Sequence, residues 1–275
     1  MVWNGFGTWL ANLKRIKMKQ LNPVSGIPVP DPGQSASVEQ EDRSQWLACG
    51  LLEEKAGRFE AAAEAYLSVL LLDSRQGQAL LGLGRVYLVL GELDLASQFL
   101  EALLLKQPGH AEGRLMLGLV RYGQGNDAAA IRLLSRPEDP CALFWESRPA
   151  RECLGECHYR QGDFERAILT WLPLLDHPPA SERLLLALGA SLFHLGRYQS
   201  AYAFFQEAVR QNPANAGALN NCGVACFHLG DAAEAARWLE AALARDPDLG
   251  EARDNLQLLA PAAGGQRRCG GGLHE

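Results

Sequence analysis

Hydrophobic positions recur along most of this chain at the spacing of an α-helix, in short runs that end at glycine or proline. One run places apolar side chains on a single helical face, at Ala79, Leu80, Leu83, Val86, Tyr87 and Leu90. Gly91 then ends the run, where a helix commonly closes with a left-handed residue. A second run goes on through Leu95, Ala96, Phe99, Leu100 and Leu103 and stops at Pro108. The pattern predicts pairs of amphipathic helices joined by tight turns.

Small residues occupy the same three places in each pair of helices, with a step of 34 residues in all but one case. The first helix carries Gly50, Gly84, Gly118, Gly155, Gly189 and Gly223. The turn carries Gly57, Gly91, Gly125, Gly162, Gly196 and Gly230. The second helix carries Ala62, Ala96, Ala130, Ala167, Ala201 and Ala235. Such self-similarity at a fixed period is the mark of a repeat architecture.

This arrangement resembles the tetratricopeptide repeat, a helix–turn–helix unit of the same length. The resemblance covers about residues 43–249 and divides them into repeats 43–76, 77–110, 111–144, 148–181, 182–215 and 216–249. It implies an all-α fold, a right-handed superhelical solenoid of about six helix–turn–helix repeats. One hairpin cannot bury its apolar face alone, so the repeats stack. Residues 250–259 are predicted to form a C-terminal capping helix, with Ala252, Leu256 and Leu259 facing the array.

The third and fourth repeats depart from the regular pattern. Pro137 and Pro140 end the second helix of the third repeat early, because proline cannot continue a helix. Three extra residues also precede the fourth repeat, so we expect the array to break at 136–149. Pro173 predicts a kink or an early end in the second helix of the fourth repeat.

The two ends of the chain lie outside the repeats. Residues 1–21 combine a basic cluster with apolar residues on one helical arc, Val2, Trp3, Phe6, Trp9, Leu10, Leu13 and Ile16. This favours a membrane-surface or partner-docking helix; a terminus without fixed structure, favoured by Gly5 and Gly7, is the alternative. Residues 22–42 are a Pro/Gly/Ser-rich linker, with Asp42 or Ser44 expected to cap the first helix, and 260–275 are a disordered tail.

Composition limits the classes of partner and compartment. The formal net charge is −6, and all of the excess acid lies outside the basic first segment, which argues against nucleic acid as a partner. No apolar run reaches the length of a transmembrane helix. Seven cysteines form no regular framework, which favours reduced, buried thiols and a cytoplasmic location, or one peripheral to a membrane.

Motifs for catalysis or metal binding are weak in this sequence. Cys153, Cys157 and His158 resemble the haem attachment motif but have one spacer too many. Cys222, Cys226 and His228 lack an evident fourth zinc ligand. We therefore expect no enzyme activity, no metal and no cofactor, and interpret these residues as part of the repeat packing.

The resemblance also implies where a ligand would lie, because tetratricopeptide repeats usually bind at positions 2, 5, 9, 12 and 13 of each repeat. In this chain the candidates are Leu81, Arg85, Leu88, Leu115, Leu119, Tyr122, Glu152, Glu156, Tyr159, Arg160, Leu186, Phe193, His194, Asn220, Phe227 and His228. Position 12 is aromatic in four repeats, either for a ligand or for packing between repeats. Leu47 and Leu51 replace the polar residues with which some members clamp chaperone tails.

The sequence thus predicts a non-catalytic scaffold or adaptor that binds a peptide or helix of a partner protein in its concave groove. The alternative is an assembly or localisation factor tethered to a membrane surface by residues 2–19.

Overall fold

The computed structural model describes residues 36–135, 147–176 and 180–259, and within these ranges the chain is helical and contains no strand. The chain divides into two compact units between Glu146 and Ser147. This boundary falls inside the segment where the sequence predicts a break in the array. The N-terminal arm 1–21, most of the linker and the tail 260–275 lie outside the described residues, as does 136–146.

The first unit contains three helical hairpins. Its helices are α1 (Ala36–Lys55), α2 (Phe59–Leu72), α3 (Gly77–Val89), α4 (Leu93–Lys106), α5 (Ala111–Gly123) and α6 (Asp127–Leu134). Each helix packs on the next, and α3 also contacts α1 and α5. The core between them includes Tyr66, Leu80, Leu83, Phe99, Leu100 and Leu103.

The second unit contains three more hairpins and one further helix. Its helices are α7 (Arg148–Arg160), α8 (Phe164–Trp171), α9 (Glu182–His194), α10 (Tyr198–Gln211), α11 (Ala216–His228), α12 (Ala232–Arg245) and α13 (Gly250–Leu259). Consecutive helices pack on each other here too. From the second repeat to the sixth, the first helix begins at the residue where the sequence frame places the start of the repeat.

Glycine closes the turn of every hairpin. In the second hairpin Gly91 has φ 77°, a left-handed conformation that is strained for any residue with a Cβ atom. Gly91 N–H donates to the Leu88 carbonyl at 3.2 Å, and Glu92 N–H donates to the Tyr87 carbonyl at 2.9 Å. This pair of bonds is the Schellman motif, which satisfies carbonyls that the end of a helix leaves unpaired.

Glycine inside the first helix allows the two helices of a hairpin to approach closely. A Cβ atom built on Gly189 of α9 would lie 2.4 Å from Cε1 of Phe205 in α10, nearer than real side chains come. The aromatic ring therefore occupies the space that the missing side chain leaves. This contact joins residues of two helices, and it explains why the repeat keeps a glycine there.

Prolines shape the irregular repeats as predicted. The helix α6 ends at Leu134, three residues before Pro137. The helix α8 ends at Trp171, and Leu172–Asp176 continues as a 3-10 helix that contains Pro173. Pro173 lacks the N–H group that an α-helix would use there.

The start of the first helix was predicted wrongly. The helix α1 begins at Ala36, within the predicted linker, so Asp42 and Ser44 lie inside the helix and do not cap it. The sequence has no proline between Pro32 and the end of α1 at Lys55, and acidic residues are favourable near the positive end of the helix dipole. The capping helix α13 has the predicted bounds and buries Ala252, with Asn255 beside it as a buried residue that was not predicted.

Candidate functional site

A network of charged groups joins the first helices of the three repeats in the first unit. Arg85 of α3 donates to both carboxylate oxygens of Glu54 in α1, at 2.6 and 2.9 Å, and to Glu112 of α5 at 3.0 Å. The hydroxyl of Tyr66, a fully buried residue, donates to Glu54 at 2.6 Å. The predicted groove residue Arg85 is therefore engaged by its own chain, with two carboxylates for one cation.

The pKa values of this network follow from burial and pairing. Burial alone would raise the pKa of Glu54, but the hydrogen bonds from Arg85 and Tyr66 and the charge of Arg85 outweigh it and lower that pKa. The hydrogen bond to Glu54 is the main cause that raises the pKa of Arg85. Both groups are therefore charged at neutral pH, and the network holds three repeats in register.

The other candidates of the first unit differ in exposure. Leu81 and Leu115 are buried and offer little surface to a ligand, so their place in the groove stays a prediction. Leu88, Leu119 and Tyr122 are partly exposed. Exposed or partly exposed apolar side chains of this unit lie at positions 9, 12 and 13, at Leu119, Leu88 and Val89.

Aromatic side chains form two equivalent clusters in the second unit. In the first cluster Tyr159 contacts Phe164 with ring centroids 5.4 Å apart, and Phe164 stacks on His194 at 4.3 Å. The Tyr159 hydroxyl lies 3.3 Å from Nε2 of His194. Each of these residues has a counterpart one repeat later.

The second cluster repeats the arrangement with Phe193, Tyr198 and His228. Phe193 lies 5.0 Å from Tyr198 and 5.0 Å from His228, and Tyr198 stacks on His228 at 4.6 Å, all between ring centroids. Burial lowers the pKa of His228. In both clusters a ring at the start of one second helix covers a histidine of the next repeat, so these candidates pack between repeats as well as lining a surface. Phe227 is partly exposed, and the one ring contact described for it is with the adjacent His228, at 5.6 Å.

Charged candidates of the second unit are paired within it. Glu156 lies 3.4 Å from Arg160 and 3.8 Å from Arg183, between charged atoms. Glu152 lies 3.3 Å from Arg148. The exposed surface between these residues therefore carries both signs of charge and no concentration of either.

The candidate Asn220 is engaged within the chain. It is buried, and its side-chain oxygen Oδ1 accepts from the side-chain amide of Asn255 in α13 at 3.0 Å. It joins the cap to the last repeat, and its place in the groove stays a prediction. The next residue, Asn221, lies on a different face of α11. It lines a pocket that was not predicted from the sequence.

The pocket lies among the first helices α7, α9 and α11 and the second helix α10. It has a volume of about 330 Å³ and is lined by Tyr159, Ala190, Phe193, Phe205, Asn221 and Val224. Tyr159 and Phe193 were predicted from position 12. Ala190 and Val224 occupy position 9 of their repeats, and the predicted candidates at this position belong to other repeats. The leucine candidate Leu186 is partly buried in the neighbouring core.

Three of the four cysteines named above are buried, and Cys153 is partly exposed. Cys157, Cys222 and Cys226 are buried, and burial raises the pKa of Cys222 to about 12, so this thiol is protonated at neutral pH. The part of the chain that the structure describes contains no cluster of metal-ligating side chains. It also contains no helix with the length and apolar character needed to cross a membrane.

Comparison with known proteins identifies the family. One sequence model of the tetratricopeptide repeat matches residues 54–120 and 192–259, and another matches residues 154–216. Together they cover more than half of the chain. The chain belongs to the tetratricopeptide repeat family. No match to its sequence was found among curated proteins.

Solved structures of tetratricopeptide repeat proteins resemble the chain in fold. Pseudomonas aeruginosa pilF is 18% identical with a TM-score of 0.56, over 79% of this chain and 97% of that one. The APC/C hetero-tetramer Cut9–Hcn1 gives 19% identity and a TM-score of 0.50, over 79% of this chain. This chain spans only 42% of the length of that one. A tetratricopeptide repeat protein of Parabacteroides merdae is 18% identical, with a TM-score of 0.48 over 91% of this chain and 90% of that one. At these identities the likeness concerns the fold alone.

Proposed function

We propose that this tetratricopeptide repeat protein is a non-catalytic scaffold that binds a peptide segment of a partner protein on the first helices of its repeats. Proteins of this family generally mediate protein–protein interactions. The observation that carries the proposal is the partly exposed aromatic surface of the first helices in the second unit, at Phe193 and Phe227, since aromatic side chains on rigid helices are frequent anchors of protein interfaces.

Charge has a small part in this proposal. Arg85, Glu152, Glu156 and Arg160 are each engaged in ion pairs within the chain, so they offer a ligand no single sign of charge. Each unit keeps partly exposed apolar residues for contact, Leu88 and Leu119 in the first and Phe227 in the second. Affinity should therefore change only modestly between low and high salt, because screening weakens charge interactions and leaves apolar burial in place.

Selection of peptides from a random display library on the full chain tests the proposal. The selected peptides are labelled, and their affinity is measured by fluorescence anisotropy. Replacing Phe227→Ala should weaken binding by about 1–3 kcal/mol, the scale of an anchor residue. The control is Leu105→Ala, which removes an exposed apolar side chain from the second helix α4 and should leave affinity unchanged.

Two results would contradict the proposed function. One is the failure of the selection to enrich any peptide that binds the folded full chain. The other is a set of peptides whose affinity drops for Leu105→Ala and not for Phe227→Ala, since binding would then use a different surface. A steep fall of peptide affinity with rising salt would contradict the proposal that apolar contacts dominate binding.

A further inference from the structure

We infer that the pocket lined by Tyr159 and Phe193 holds one neutral aromatic side chain of an extended peptide, whose backbone is bound by Asn221. This inference rests on the proposed function and adds to it the chemistry of the partner. It is carried by three observations: the size of the pocket, the polar group at its wall and the absence of charge from its lining.

The size of the pocket limits its occupant. A volume of about 330 Å³ lies at the low end of the range of ligand sites, roughly 300–1,000 Å³, and fits one large side chain. Ala190 takes up the least space at its position in the repeat, because it is the smallest of the residues at position 9, where other repeats carry Leu51, Arg85, Leu119, Glu156 and Val224. Phe193 and Tyr159 on either side present rings that favour another ring in offset or edge contact.

Asn221 supplies the polar part of the site. Its side chain is partly exposed at the pocket wall and forms no hydrogen bond with the described residues, whereas the adjacent Asn220 is bonded to Asn255. A side-chain amide can donate and accept at once. An extended backbone exposes both an N–H and a carbonyl group to such an amide, while a helix uses both internally. Asn221 therefore favours an extended segment.

The lining selects against charged occupants. None of the six lining residues carries an ionisable acid or base other than the phenol of Tyr159. Transfer of a charged side chain into apolar surroundings without a partner is costly. A phenylalanine, tryptophan or tyrosine side chain meets these conditions, and aspartate, glutamate or a phosphorylated residue does not.

Titration of the full chain with N-acetyltryptophanamide, followed by NMR of labelled backbone and side-chain amides, tests the inference. This probe carries one indole ring and one peptide backbone group on each side. The expected result is a saturable shift of the Asn221 side-chain amide and of amides in α9 and α11. N-acetylglycinamide, which has the same backbone without the ring, should bind at least about tenfold more weakly, as expected for loss of an aromatic contact.

Two variants and a matched control locate the binding. Ala190→Phe fills the pocket with a ring and should abolish the shifts, while Ala203→Phe adds the same ring to the exposed side of α10 and should preserve them. Asn221→Ala removes no hydrogen bond of the folded chain and should lower the affinity about three- to tenfold, the effect of one hydrogen bond. This second variant keeps the test valid if Ala190→Phe does not fold.

The outcomes separate this inference from the proposed function. Equal binding of the tryptophan and glycine probes, or binding that Ala190→Phe and Asn221→Ala both leave unchanged, would overturn the inference. Absence of any shift with the tryptophan probe would also overturn it. In each of these cases peptides selected on the full chain could still bind, and be weakened by Phe227→Ala, so the scaffold proposal would stand.

Discussion

At the scale of single residues, replacing Arg85 alone removes the cation of the ion network in the first unit. Arg85→Ala leaves two carboxylates and the Tyr66 hydroxyl close together without a cation. We expect the free energy of unfolding to fall by about 1–3 kcal/mol, since the groups are only partly exposed. Urea denaturation measures this. Arg58→Ala, which breaks an exposed pair with Glu53, should have almost no effect.

The same network predicts a pH dependence. The pKa of Glu54 is lowered in the folded state from its ordinary 4.5, so its contribution to stability is present above pH 4.5 and is lost as pH falls through the lower folded value. Arg85→Ala should flatten the stability profile in this acidic window. If the variant loses stability below pH 4.5 as steeply as the wild type does, Arg85 is not the cause of the lowered pKa.

Gly189 provides a second test at this scale. Alanine in place of a helical glycine stabilises by roughly 0.5–1 kcal/mol, but its Cβ atom would meet the Phe205 ring at 2.4 Å. Overpacking costs about 1–3 kcal/mol, so the net effect of Gly189→Ala should be a lower melting temperature. Gly109→Ala, at a site with no atom within 4 Å of the new Cβ, should not lower it.

At the scale of helices, the stacked pair Tyr198–His228 joins α10 to α11. The pKa of His228 is lowered by burial from its ordinary 6.5, so its contribution to stability is present above pH 6.5 and is lost as pH falls through the folded value. His228→Phe keeps a ring in the stack and removes the titration. Thermal unfolding between pH 5 and 8 should therefore show a weaker pH dependence in the variant. An unchanged slope would show that another group causes it.

At the scale of the whole molecule, the chain divides into two compact units at residues 146 and 147. We predict that each unit opens with its own stability, because nearest-neighbour contacts dominate repeat proteins. Hydrogen exchange tests this: Gly189→Ala should speed exchange in α9–α12 and leave α1–α6 unchanged, and Arg85→Ala should do the reverse. Equal acceleration throughout the chain would mean that the two units unfold as one.

The sequence by itself determined where the first helix begins in five repeats, and both bounds of the cap. The signals are local: glycine where a left-handed residue closes a turn, proline where a helix cannot continue, and apolar residues at helical spacing. It failed at α1, because the polar stretch after Pro32 has a composition that fits both a linker and the start of a helix. The candidate residues lie on the first helices of the repeats, as the sequence pattern assigned them.

Only the tertiary structure decided which of these candidates are exposed. Leu81, Leu115 and Asn220 are buried because neighbouring helices cover them, whereas Asn221, on a different face of α11, is partly exposed. The ion network joins residues 27 and 31 positions apart, in different repeats. A repeat pattern assigns a side chain to a face of its own helix, but the packing of the adjacent repeats determines whether that face is open. The period of the sequence therefore specified the fold, and the packing between repeats specified the pocket.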